Sequence, residues 1–179
     1  MRVSGGELRS RRITVPRTLA IRPTPGRVRE ALFSIVGERI VGARVLDLYA
    51  GTGAIGFEAL SRGAAHATFV EVQARTAARI RTAAADFGLS ERTSVMATTA
   101  ERAARLVEGP FDFVYADPPY AAEAPSAVFL ALRRSGAIRN DTVVVYEHRP
   151  TATVAVTGFR SARVARYGDV ALDFLEADA

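Results

Sequence analysis

Apolar and polar positions along this chain follow two rhythms. Short, largely apolar runs occupy residues 44–50, 67–71, 111–116 and 142–147, and Thr93 to Ala97 reads as a further strand. Runs of that length and character predict strands buried on both faces of a parallel sheet. Between them lie stretches with helical spacing at 55–62, 73–87, 100–107 and around 128–134. The clearest is 73–87, where Ala77, Ile80, Ala84 and Phe87 share one face and Gly88 follows as a terminator. Near the C-terminus, residues 160–166 and 170–175 flank Tyr167-Gly168-Asp169, which reads as a hairpin. Strands alternating with helices, followed by an antiparallel pair, predict an α/β fold: a Rossmann-like, seven-stranded, doubly wound sheet with a C-terminal hairpin.

Residues ahead of the first strand form a separate extension. Gly5-Gly6 would turn a small hairpin between Arg2-Val3 and residues 8–15. Thr24-Pro25 reads as a helix start, with Thr24 as cap and Pro25 in the first helical position. That helix would carry Val28, Leu32, Ile35 and Val36 on one face and end by Gly37. The division expected is therefore a basic arm over 1–24 and a main domain over 25–179.

Charge sharpens that division. Residues 1–30 hold eight arginines against Glu7 and Glu30, a net of +6, whereas the rest of the chain is close to neutral. Arginine pairs bidentately with phosphate and stacks on bases, so Arg9, Arg11, Arg12, Arg22 and Arg27 are candidate nucleic-acid contacts. A solvated basic tail is the alternative. All 24 basic residues are arginine, which excludes a Walker-type lysine loop and Schiff-base chemistry. With no cysteine, disulfides, thiolate zinc sites and cysteine nucleophiles are also excluded. His66 and His148 lie far apart and read as strand-end residues, not metal ligands. No apolar run approaches the ~20 residues that span a bilayer, and the N-terminus lacks the apolar core of a signal peptide. A cytoplasmic protein is expected.

Gly51-Thr52-Gly53-Ala54-Ile55-Gly56 satisfies G-x-G-x-x-G between a strand and a helix, with Glu71 twenty residues after Gly51. This matches a dinucleotide fingerprint, so a nicotinamide-binding module is a rival reading. Asp47, inside the preceding strand, argues against it. A carboxylate there would repel a pyrophosphate but attract the ammonium and sulfonium of S-adenosylmethionine. Gly51 and Gly53 would let the backbone approach that cofactor, and Glu71 would receive its ribose hydroxyls.

Asp117-Pro118-Pro119-Tyr120 follows the fourth strand. Proline fixes φ and lacks an N–H, so this loop is stiff and its carbonyls remain open to donors. The Asp117 carboxylate and the Pro118 carbonyl suit the two hydrogens of an exocyclic amine, and Tyr120 suits a stacked base. An ordinary strand-to-helix turn with Tyr120 packed inward is the structural alternative.

Taken together, Gly5-Gly6, Arg22-Pro23-Thr24 with residues 27–33, the block 45–64 and Asp117–Tyr120 resemble the RsmD family of bacterial ribosomal RNA guanine-N2 methyltransferases over nearly the whole chain. The resemblance implies a class I S-adenosylmethionine-dependent methyltransferase without a metal. Its implied target is guanine-966 of 16S ribosomal RNA, in an assembled or assembling small subunit. A monomer is expected, with Thr24 and Arg27 closing over cofactor or base. Two departures stand out. Pro25-Gly26 replaces the family's usual acidic residue, and Thr98-Thr99 stands where such enzymes often place Asp or Asn on the adenine amine, leaving Thr99 for that contact. Two other functions fit the motifs: N6-adenine methylation of DNA, and a non-enzymatic role in ribosome assembly.

Overall fold

The computed structural model describes residues 1–13, 24–119, 125–151 and 155–178. Seven strands form one sheet in the order β3-β2-β1-β4-β5-β7-β6. Those strands are β1 Arg44–Leu48, β2 His66–Val70, β3 Thr93–Met96, β4 Phe113–Ala116, β5 Val143–His148, β6 Phe159–Tyr167 and β7 Val170–Ala177. The first five run parallel; β7 is antiparallel to both β5 and β6. Strand order reverses between β1 and β4, so their carboxyl ends diverge into a crevice, the usual ligand position of such sheets.

Two layers of helix cover the sheet. Helices α1 Gly26–Val36, α2 Ala54–Ser61 and α3 Ala74–Asp86 pack with Val45, Phe69, Phe113 and Val145 on one face. On the other, α4 Ala100–Ala103 and α5 Ser126–Arg134 pack with Leu46, Val114, Ala116 and Val144. The period-2 alternation of β1, β4 and β5 thus feeds both cores, which is why these strands read as unbroken apolar runs. No helix among the described residues is long and apolar enough to cross a membrane.

One expectation fails at the start of α1. Pro25 is the N-cap, with φ −54° and ψ 145°, and no side chain caps the helix. Its extended ψ delays the first turn to Gly26, and the Thr24 hydroxyl is drawn instead to Glu147, 3.2 Å away. Helix α4 is also shorter than the spacing suggests, tightening into a turn after Ala103.

The N-terminal segment is docked on the body. Arg2 and Arg12 form an antiparallel bridge, and Val3, Leu8 and Ile13 are buried in the first core. The anchor is Glu58 of α2, with 0% exposure. Its carboxylate accepts the Ser4 and Gly5 N–H groups, each at 2.8 Å, and the Ser4 hydroxyl at 2.6 Å. Arg62 donates to it at 3.0 Å, and the guanidinium of buried Arg29 lies 3.7 Å away. Gly6, at φ +77°, brings the chain so near α2 that a Cβ would sit 1.8 Å from the Ser61 carbonyl oxygen. A glycine is required there for both reasons.

Removing Glu58 would leave the Arg29 charge buried without its counter-ion. Glu58→Ala is expected to destabilise the protein by about 3–5 kcal/mol, lowering Tm by roughly 6–20 °C in a thermal melt. A change of a degree or two would mean that the arm contributes little to the fold.

Candidate active site

The crevice is lined by Asp47 of β1, the β1–α2 loop with the start of α2, Thr24, and Tyr115 and Asp117 at the end of β4. Tyr49, Gly51 and Gly53 have φ of 60°, 53° and 75°, so the loop passes repeatedly through left-handed backbone. Glycine takes that conformation freely; at Tyr49 it carries strain. Gly56 has a different task, since a Cβ there would lie 2.2 Å from the Phe69 ring. It lets α2 close onto β2.

Two carboxylates hold the loop by its amides. Asp47 accepts the Gly56 N–H at 3.0 Å. Glu71, the residue after β2, accepts Gly51 N–H at 2.9 Å and Gln73 N–H at 2.8 Å. Asp47 is buried, and its carboxyl is pushed well above the usual carboxylate range. Loss of hydration is the main cause, opposed by the Gly56 N–H and reinforced by the nearby Asp117 and Glu71 charges.

Asp117 follows β4 directly and faces the same crevice as Asp47, Gly51 and Thr52. Burial first, then the Glu147 charge, raise its carboxyl from 3.8 to about 8. Pro118 is buried and Pro119 exposed. Beside Asp117 lies a group that sequence reading missed. Glu147, next to last in β5, accepts the Tyr115 phenol in a short hydrogen bond and the Thr24 hydroxyl. Tyr115 is raised well above the usual phenol range, by burial and then by Glu147, so it stays a neutral donor. Both residues sit in apolar strands, where the sequence offers only core as an explanation. Alternation along β4 and β5 is the signal that would have paired them with Asp117.

The structure thus brings Thr24, Asp47, Gly51 and Asp117 together around one cleft, with Glu71 bonded to its loop. Thr99 is the N-cap of α4, and its hydroxyl accepts the Arg102 N–H at 3.3 Å. Arg9, Arg12 and Arg27 are exposed. Arg11 is committed to the body, donating to the Asp86 carbonyl at 2.8 Å with its guanidinium 5.2 Å from the Phe87 ring centroid. Arg22 and Tyr120 lie outside the described residues. An acidic, partly desolvated crevice over left-handed glycines suits a cationic ligand and disfavours a pyrophosphate.

The chain is similar to known proteins over most of its length. The family model described as conserved hypothetical protein 95 matches residues 1–176. Ribosomal RNA small subunit methyltransferase D of Escherichia coli (strain K12) is 32% identical over 151 residues, covering 82% of this chain and 74% of that protein. The solved structure of the Escherichia coli protein yhhF superposes with a TM-score of 0.87 at 30% identity, covering 100% of this chain and 98% of the other. A conserved hypothetical protein of Streptococcus pyogenes superposes with a TM-score of 0.76 at 31% identity, over 84% and 95% of the two chains.

The raised Asp117 carboxyl makes stability depend on pH. Between 3.8 and about 8 the folded protein holds a proton that the unfolded chain releases. The contribution is therefore full below the ordinary carboxylate value and is lost as pH rises through the folded value. Asp117→Asn removes the dependence. It is expected to melt roughly 3–10 °C above the wild type near pH 9, with a much smaller gap near pH 5. An equal gap at both pH values would show that Asp117 is ionised throughout.

Proposed function

The chain belongs to the RsmD family, and we propose that it is a ribosomal RNA methyltransferase acting on the exocyclic N2 amine of a guanine in the small-subunit 16S RNA. The nucleotide proposed is guanine-966, in the assembled or assembling 30S subunit. The observation that supports the reading is that Asp117, the first residue of the Asp-Pro-Pro loop, lines one crevice with Asp47 and the glycine loop.

The cofactor proposed is S-adenosylmethionine. Its fit rests on the donor set: buried carboxylates suit an ammonium and a sulfonium and would repel phosphate. Bound there, it supplies an electrophilic methyl whose C–S bond breaks, leaving the electron pair on sulfur, as the N2–C bond forms. Asp47 is assigned to the cationic amino-acid end. Glu71 keeps the loop in shape through Gly51 and Gln73, and its remaining lone pairs are assigned to the ribose hydroxyls.

Chemistry on the base falls to the β4 end. The amine nitrogen of guanine is a weak nucleophile because its lone pair is delocalised into the ring. The Asp117 carboxylate and Pro118 carbonyl accept its two hydrogens, which favours a pyramidal nitrogen with the lone pair turned outward. Asp117 then takes the proton that N2 sheds. A carboxyl raised toward neutrality is well matched to that exchange. Tyr120 is assigned to stack on the base, which must be flipped out or unpaired to enter. The arm over 1–24 is assigned to RNA, with Arg9, Arg12 and Arg22 on phosphates together with Arg27 of α1, and Arg11 fixing the arm in place.

Asp117→Ala is expected to lower kcat for methyl transfer by roughly 10²–10⁴-fold while the cofactor dissociation constant, by calorimetry, stays within a few-fold. Unchanged transfer would remove Asp117 from the mechanism. Replacing Arg9 and Arg12 by alanine, with Arg11 kept, should weaken RNA binding and reduce the slope of log K against log[salt] by about 1–2. An unaltered slope would mark the arm as a solvated surface.

A further inference from the structure

A buried carboxylate to which the mechanism above gives no task stands beside its central group. Glu147 is 4% exposed. Ala116 and Tyr146 are the last paired residues of β4 and β5, so Asp117 and Glu147 come next on the two neighbouring strands. Tyr115 and Val145 belong to one core, Ala116 and Tyr146 to the other. Alternation therefore returns Asp117 and Glu147 to the face of Tyr115.

Glu147 reaches the crevice through two of its walls. Its Oε2 accepts the Tyr115 phenol in a short hydrogen bond and the Thr24 hydroxyl at 3.2 Å. Tyr115 and Thr24 line the crevice together with Asp47 and Asp117. One carboxylate oxygen thus ties β5, β4 and the residue before Pro25 together behind the reacting group. Hydrogen bonds from two hydroxyls favour the ionised form of Glu147. Its charge acts with burial to raise the Asp117 carboxyl. Asp47 of β1 and the phenols of Tyr115 and Tyr146 also feel Asp117. From the α1 side, Arg29 binds the Thr24 and Arg2 carbonyls and lies beside Glu58.

We propose that Glu147 is a positioning residue for methyl transfer: held by Tyr115 and Thr24, it keeps a fixed negative charge beside Asp117 and fits that carboxylate to take the proton from N2. The assignment rests on the reading that Asp117 receives the guanine amine. As the C–S bond breaks and the N2–C bond forms, the nitrogen becomes cationic. It loses one proton to the Asp117 carboxylate, which later yields that proton to solvent. Glu147 makes and breaks no bond; its charge strengthens Asp117 as a base.

The test separates charge from shape. Glu147→Gln keeps the length and an oxygen for Tyr115 but loses the charge, whereas Glu147→Asp keeps the charge with a shorter reach. Transfer to small subunits is followed against pH at saturating cofactor, where kcat rises along an acid limb as Asp117 ionises. Glu147→Gln is expected to move that limb to lower pH by roughly one pH unit or more. Its plateau kcat should fall by up to about 10-fold, as a weaker base requires, with the cofactor KM within a few-fold. Glu147→Asp should lie between Gln and wild type. A second readout needs no activity: the melting gap between Asp117→Asn and its parent at about pH 9 should shrink in the Glu147→Gln background. Should Glu147→Gln fail to fold, Tyr115→Phe removes one donor, lets Glu147 take up a proton, and should move the limb in the same direction. A limb that stays in place in the folded variant, or a gap of undiminished size, overturns the proposal, since a merely structural role lowers kcat equally at every pH. Absence of N2 methylation by the wild type overturns the functional reading and this assignment with it, even where the melting gap shrinks.

Discussion

Asp47 and Asp117 line one crevice with the charges of Glu71 and Glu147 close behind them, and the surrounding structure is arranged around keeping these four carboxylates there. Like charges in a desolvated site repel strongly. The fold offsets this with donors at fixed positions: the amides of Gly51, Gly56 and Gln73, and the hydroxyls of Thr24 and Tyr115. What remains uncompensated raises Asp47 and Asp117. A site poised in this way gains most from a cationic ligand, which supplies the missing counter-charge and returns both groups toward ionisation.

The same network reaches the basic arm. Arg29 donates to the Thr24 carbonyl at 2.7 Å and to the Arg2 carbonyl at 2.6 Å, while lying beside Glu58. Thr24 in turn donates to Glu147 in the crevice. Arm, helix α1 and acid cluster are therefore joined by short, buried contacts. Glu58 and Ser61 on α2 complete the link by binding the arm's backbone at Ser4, Gly5 and Leu8. Gly5-Gly6 and the Glu58–Ser61–Arg62 stretch serve each other, although more than fifty residues separate them.

Much of this architecture was legible in the residues because it depends on local rules. Buried strands, the face of α3, the Gly168-Asp169 hairpin and the glycine loop are set by periodicity, turn chemistry and φ. Asp47, Gly51 and Asp117 were legible because strand-end carboxylates and tight glycine turns have few purely structural uses. What stayed hidden depends on contacts distant in sequence. Thr24 read as a helix cap until Glu147, 123 residues away, competed for its hydroxyl. Tyr115 and Glu147 were concealed within apolar strands, and Arg29 and Arg11 looked like surface charge although each is tied to a backbone carbonyl. His148 read correctly as a strand end.

The most direct measurement is radiolabelled methyl transfer from S-adenosylmethionine, offered separately to naked small-subunit RNA and to small subunits lacking the modification, followed by digestion and nucleoside analysis. N2-methylguanosine recovered from the subunits is the predicted product. Label in N6-methyladenosine would contradict the assignment of the Asp117 crevice to guanine, and a protein that binds the cofactor yet labels neither substrate would contradict its assignment to small-subunit RNA.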